Sequence, residues 1–376
     1  MRSSLTLFTF LSLLSGTLGN TCKRPTPTNG GASTNGPVNG NSGGSSANPS
    51  TSGSTASNVG ATDIVSPTAT TTGNGPGGSS KATPSDTLKL DEPQGDCKCG
   101  YSISSLGDIY FPYHFSFAFS SEKDRVFGSE KELSDKGWVV NEGRHAGGEG
   151  DSGLCLGRYK NLAIEKGDLV LTVPGGQTLN KNMGCAEIAH NAAVFGGVFQ
   201  TEAMISPVAG TCEAFWLNHT IPTQYADEVD IEILTGKIQS DGIYYTNWPP
   251  YGDPNNPSTM KSEFTKAPFP DLTNNDPTKT YNNYTIVWLN GDGGKNETSR
   301  YFNGKFNQSP VANLPVHAMS FTINNWSNGS PGWSGGPPKE DAHLRVKSVI
   351  LYYKTEEVGT MEKLDKGCTK EKVCKV

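Results

Sequence analysis

Ala226-Asp227-Glu228-Val229-Asp230-Ile231-Glu232-Ile233-Leu234 is the stretch on which the reading of this chain turns. In an extended strand successive side chains point to opposite faces. Glu228, Asp230 and Glu232 therefore share one face, and Val229, Ile231 and Ile233 share the other. The apolar row suits the interior of a sheet sandwich. The acidic row repels itself, with no Lys or Arg between its members, and a strand needing only solubility would carry Thr, Ser or Lys there. A solvated acidic edge is the bland alternative. A metal site is disfavoured, because no His lies close in sequence and no loop has the spacing of oxygen ligands.

Working outward, similar short segments recur on both sides. Leu169–Val173, Ala193–Phe195, Phe199–Ile205, Glu213–Leu217, Tyr284–Leu289, Met319–Ile323 and Leu344–Tyr353 are rich in β-branched and aromatic residues. Gly, Pro, Asn and Asp fill the intervals, which is turn chemistry. No helical stripe runs longer than about three turns. The segment 96–360 thus reads as one all-β sandwich.

The N-terminal quarter differs. After Phe10 the next aromatic residue is Tyr101, and Ser, Thr, Gly, Asn and Pro dominate between. Residues 1–19 read as an export signal, with Arg2 before the apolar run Leu5 to Leu14 and small residues at the exit. Residues 20–95 bury too little apolar area to offset their ordering entropy and are expected to form a disordered tether. Residues 361–376 read as a polar, Lys-rich tail without the hydrophobic stretch of a lipid-anchor signal. Past the N-terminus no apolar run is long enough to span a bilayer.

The charge balance, 31 Lys+Arg against 37 Asp+Glu or −6 net, argues against nucleic acid as a partner. The eight cysteines are expected in disulfides of an exported protein, with Cys368–Cys374 as one candidate bridge. Sequons at Asn218, Asn283, Asn296, Asn307, Asn325 and Asn328 fit the same compartment. The zinc-protease motif His-Glu-x-x-His is absent from the sequence.

The acidic row has the composition that glycoside cleavage with retention requires: two carboxyl groups about 5–5.5 Å apart, one nucleophile and one acid/base. The Cα atoms of Glu228 and Glu232 lie roughly 13 Å apart on a strand, a gap that two long Glu side chains leaning together can close. Asp230 between them can orient the nucleophile and help keep the acid protonated.

Asp227–Glu232 resembles the signature of glycoside hydrolase family 16 in its form without a β-bulge, found in lichenases, xyloglucan endotransglycosylases and fungal chitin–glucan crosslinking transglycosylases. Gly196–Pro207 with Gly210–Leu217, Ile243–Asn247, Tyr284–Trp288 with Tyr301–Gly304, Asn324–Trp326 and Gly332–Gly336 are similar to the family's other strands, in its order. The resemblance implies a concanavalin A-like β-jelly-roll with a concave substrate cleft. It implies Glu228 as nucleophile, Asp230 as assisting carboxylate and Glu232 as acid/base. It places Glu202, Trp216, Tyr245, Asn247, Asn324, Trp326 and Trp333 in or near the cleft; taken by themselves, Trp288 reads as core packing and Trp248, beside Pro249 and Pro250, as either. No cofactor is implied, and a structural calcium ion is left open.

The expected function is that of a secreted, wall-associated monomer hydrolysing internal linkages of mixed-linkage or β-1,3-glucan. Two alternatives stand beside it: a chitin–glucan transglycosylase, and a lectin-like module on the same fold, since fold alone does not fix function.

Overall fold

The strand Glu228–Leu234 forms as its alternation requires. In this computed structural model, which describes residues 85–143, 155–179, 183–219, 227–248, 262–310 and 312–376, Val229, Ile231 and Ile233 are buried in the main core. Each such side chain stabilises the fold by about 2 kcal/mol when fully buried. A one-residue slip would turn all three outward, so the register is firmly set. The expected export signal and residues 20–84 of the expected tether lie outside the described residues, which fall within one compact unit, 76–376.

In chain order the strands are β1 (Tyr101–Ile103), β2 (Ile109–Phe111), β3 (Tyr113–Ala118), β4 (Arg125–Val126) and β5 (Trp138–Val140). Next come β6 (Cys155–Gly157), β7 (Leu162–Glu165), β8 (Asp168–Val173), β9 (Met183–His190) and β10 (Gly197–Met204). The central run is β11 (Cys212–Asn218), β12 (Glu228–Leu234), β13 (Ile243–Trp248) and β14 (Glu263–Ala267). Then follow β15 (Asn282–Asp292), β16 (Lys295–Phe302), β17 (Lys305–Gln308), β18 (Ser320–Trp326), β19 (Ala342–Tyr353) and β20 (Cys374–Lys375). The two α-helices among the described residues, Ile238–Asp241 and Met361–Leu364, are single turns.

Two large sheets make a jelly-roll-like sandwich. One has the order β14-β13-β12-β11-β18-β9-β5, with β6 beside β9. The other runs β17-β16-β15-β10-β19-β8-β7-β4, with β3 on β19. Their facing rows interdigitate: Phe215, Ile231 and Phe321 from the first sheet share a core with Phe199, Tyr284 and Trp288 from the second. Trp288 is thus core, as expected. Of the sequence segments read as strands, Ala193–Phe195 supplies only an isolated bridge, Val194 to Met319.

A third, three-stranded sheet, β2-β1-β20, covers the outer face of the second sheet. There Ile103, Phe111 and Val376 pack on Val198, Val287 and Tyr352. This corrects two expectations. The last part of the expected tether is folded: Leu88 is buried in the same cluster and its amide bonds Gly304 O at 2.7 Å. Thr87-Leu88-Lys89-Leu90 alternates like a strand, a signal hidden by averaging over a polar segment. The expected polar tail is also structural, since β20 pairs in parallel with β1 and is tied down by Cys97–Cys374 and Cys99–Cys368. The suggested Cys368–Cys374 bridge therefore does not form. A third disulfide joins Cys155 to Cys185, while Cys212, expected in a bridge, is a buried free thiol.

Candidate active site

β12 pairs with β11 and β13 in unbroken register, without a bulge. Glu228, Asp230 and Glu232 consequently stay on one face throughout. Beneath the row the approach to β12 is pinned by Asp227, which is fully buried and accepts the amides of Val316 and His317, both at 2.6 Å.

The face carrying the row lines a trough of about 590 Å³. Its walls follow from register. Asp230 sits opposite Trp216 on β11 and Thr246 on β13, and Glu228 opposite Trp248. One strand further, Ala214 faces Asn324 on β18, and Cys212 faces Trp326. Trp216, Asn324, Trp326 and Trp333, all expected in a cleft, line this trough. Aromatic faces beside polar groups are what a sugar chain requires, since pyranose rings present flat apolar faces edged with hydroxyls.

The three acids differ in environment. Asp230 is buried, and that burial, reinforced by the neighbouring charges of Glu228 and Glu232, holds its carboxyl well above the usual carboxylate range. Burial also raises Glu232, to about 7, while hydrogen bonds from Cys212, Trp333 and Thr246 pull the other way. The Cys212 thiol donates to Glu232 Oε1 at 3.4 Å and the Thr246 hydroxyl to Oε2 at 3.5 Å. Trp333 is held in place by an edge contact with Tyr244 at 4.9 Å between ring centroids. Its loop is anchored by Lys237 Nζ, which donates to Gly332 O at 2.8 Å. Glu232 is therefore a carboxyl group poised to give up a proton near neutrality, the property a general acid needs.

Three expected cleft residues lie elsewhere. Tyr245 and Asn247 stand opposite Ile231 and Val229, the apolar row, and are buried between the sheets. Alternation puts Thr246 and Trp248 in the trough instead. Glu202 lies on β10 in the second sheet, where it pairs with Lys347 Nζ at 2.9 Å and accepts the Ser348 hydroxyl at 3.1 Å. It belongs to the opposite side of the sandwich. The sequon residue Asn325 is also internal, its amide donating to Leu171 O and Ala342 O.

Sequence reasoning missed Phe264, a 58%-exposed ring on β14 at the trough. It also missed Glu187 on β9, a fully buried carboxylate that accepts from Asn141 at 2.6 Å and from Asn324 at 3.1 Å. Its one available signal was an acidic residue alone within the apolar run Cys185–His190. Among the described residues no group of three or more His, Cys, Asp or Glu is arranged to hold a metal ion. Nor is any helix there long and apolar enough to cross a membrane.

A two-sheet sandwich with a carboxylate row on the floor of an aromatic trough defines the class as carbohydrate-active. Residues 155–336 match the family model described as Glycosyl hydrolases family 16. No match was found among curated proteins. Similar solved structures include a prokaryotic β-1,3-1,4-glucanase (lichenase) derived from a mouse hindgut metagenome, 19% identical, covering 64% of this chain and 99% of its own, with a TM-score of 0.47. The Crh5 transglycosylase in complex with NAG is 17% identical, covering 64% and 84%, with a TM-score of 0.43. The catalytic domain of an endo-1,3-β-glucanase (laminarinase) from Thermotoga petrophila is 13% identical, covering 66% and 99%, with a TM-score of 0.46.

Proposed function

We propose that the protein is a secreted retaining glycosidase that cleaves internal linkages of a β-glucan, mixed-linkage or β-1,3, by way of a glycosyl-enzyme. The observation that carries this reading is the unbroken Glu228–Asp230–Glu232 row on the floor of an aromatic trough, within the stretch that matches the family 16 model. Glu228 attacks the anomeric carbon as the bond to the leaving oxygen breaks, and Glu232 delivers its proton to that oxygen. Asp230 hydrogen-bonds Glu228 and so orients the nucleophile. In the second half-reaction Glu232, now a carboxylate, takes a proton from water while the water oxygen displaces Glu228. A sugar hydroxyl in place of that water gives transglycosylation by the same chemistry.

The test is product analysis on barley mixed-linkage glucan, laminarin, xyloglucan and labelled chitin oligomers. Wild type is expected to release reducing ends with retained configuration, or transfer products where a sugar acceptor wins. Glu228→Gln is expected to lose roughly three orders of magnitude or more in kcat. Glucan binding without either product, equal in wild type and Glu228→Gln, would leave only the lectin-like reading.

A further inference from the structure

Arg300 lies on β16, in the sheet opposite the trough, yet its side chain crosses the sandwich and ends beneath the acidic row. Its Nε donates to Asp230 O at 3.2 Å, and Nη2 donates to Thr246 O at 3.2 Å and Asn247 Oδ1 at 2.7 Å. Asp230 and Thr246 are cross-strand partners whose side chains both line the trough. Asn247 closes the arrangement by donating to Thr298 Oγ1 at 3.0 Å and to Ala312 O at 3.0 Å. One guanidinium thus joins β12, β13 and β16 at the middle of the row.

This is an expensive way to hold two strands together. Arg300 is fully buried, its bonds go to uncharged groups, and Nη1 has no hydrogen-bond partner among the described residues. A buried charge without a tightly paired opposite charge loses several kcal/mol of solvation, and an apolar side chain of similar volume commonly does as well for stability. The nearby structure that benefits from a positive charge is the row of three acids just above.

We propose that Arg300 is a positioning residue for the acidic row, fixing the backbone under Asp230 and supplying a positive charge that offsets part of the repulsion among its acids. The proposal rests on the reading of Glu228, Asp230 and Glu232 as the reacting carboxyl groups. Around Asp230 the titratable groups are Glu228 and Glu232 on its own strand, Cys212 on β11 and Arg300 from below. Around Arg300 they are Asp230, Tyr245 on β13 and Glu263 on β14. Of the groups acting on Asp230, Arg300 is the one that draws its carboxyl down.

The experiment compares full-length wild type with Arg300→Met and Arg300→Lys. Carboxyl-carbon NMR follows the titration of the row without substrate, and kcat and KM are measured across pH. In Arg300→Met the row is expected to titrate about one pH unit higher, with the acid-side limb of kcat/KM moving alike. Arg300→Lys is expected to keep the wild-type titration but lose about tenfold in kcat at unchanged KM, because a single ammonium cannot span both carbonyls and the amide. A folded Arg300→Met whose row titrates as wild type overturns the electrostatic role, and an unchanged kcat in Arg300→Lys overturns the positioning role. Should Arg300→Met fail to fold, Arg300→Gln removes the charge while keeping donors, and the same titration decides. An active wild type with unmoved titration sinks this inference alone. An inactive wild type sinks the proposed function, while the titration still reports on Arg300.

Discussion

At the scale of single residues, the thiol of Cys212 is as informative as the carboxylates. Burial, followed by the charge of Glu232, raises Cys212 well above the ordinary thiol range, so it stays protonated and can only donate. It donates to Glu232, and a donor to the charged form of an acid lowers that acid's pKa. The reaction needs Glu232 protonated, so kcat/KM is expected to fall as pH rises through about 7. Removing the donor in Cys212→Ala makes the carboxylate less favourable, and the proton is held to higher pH. The falling limb is expected to move up by about half a pH unit, while Cys212→Ser, which keeps a donor, holds the limb at or below its wild-type position. A pH profile of initial rates checks this, and an unmoved limb in Cys212→Ala would deny the bond any role. Nothing in the sequence set Cys212 apart from the bridged cysteines, because a thiol's partner is fixed by which strand lies beside it.

At the scale of the element, β13 shows where sequence reading succeeds and where it slips. The acidic strand was legible because its two rows differ in chemistry, leaving one way to place it. Ile243-Tyr244-Tyr245-Thr246-Asn247-Trp248 has aromatic and polar residues at both parities, so similarity to a known strand was read one step out of phase for the cleft. Pairing decides it: Tyr245 and Asn247 stand opposite Ile231 and Val229 and face inward. The two faces should answer differently to mutation. Asn247→Ala removes bonds to Arg300, Thr298 and Ala312 and is expected to lower stability by about 2–4 kcal/mol, with KM near wild type. Trp248→Ala removes a ring from the trough wall and is expected to raise KM about tenfold while stability changes little. Urea unfolding beside steady-state kinetics separates the two, and a reversed pattern would mean that the strand is in the other phase.

At the scale of the whole molecule, composition set a beginning without aromatic residues apart from the strand-rich remainder, but it could not show how the domain's two ends are fastened. Contacts between residues nearly three hundred positions apart leave no local periodicity, and cysteine spacing alone permits many pairings. In the fold the answer is a staple: Cys97–Cys374 spans 277 residues and Cys99–Cys368 spans 269, and between them β1 and β20 pair in parallel. The two bridges should not act additively. With one intact, the other closes a ring of only about ten residues, worth about 3 kcal/mol of unfolded-state entropy. With neither, the large loop itself is released, worth about 5 kcal/mol more. Cys374→Ser and Cys368→Ser are therefore each expected to cost about 3 kcal/mol, and the variant lacking both bridges more than the sum of the two. Val376, Ile103 and Phe111 would lose their hold on Val198 and Tyr352, so the loss should begin at the outer sheet. The trough lies on the other side of the sandwich and should keep its activity at temperatures where the double variant remains folded. Denaturant unfolding of the single and double variants checks the claim, and strictly additive losses would show that the two bridges stabilise independent parts of the molecule.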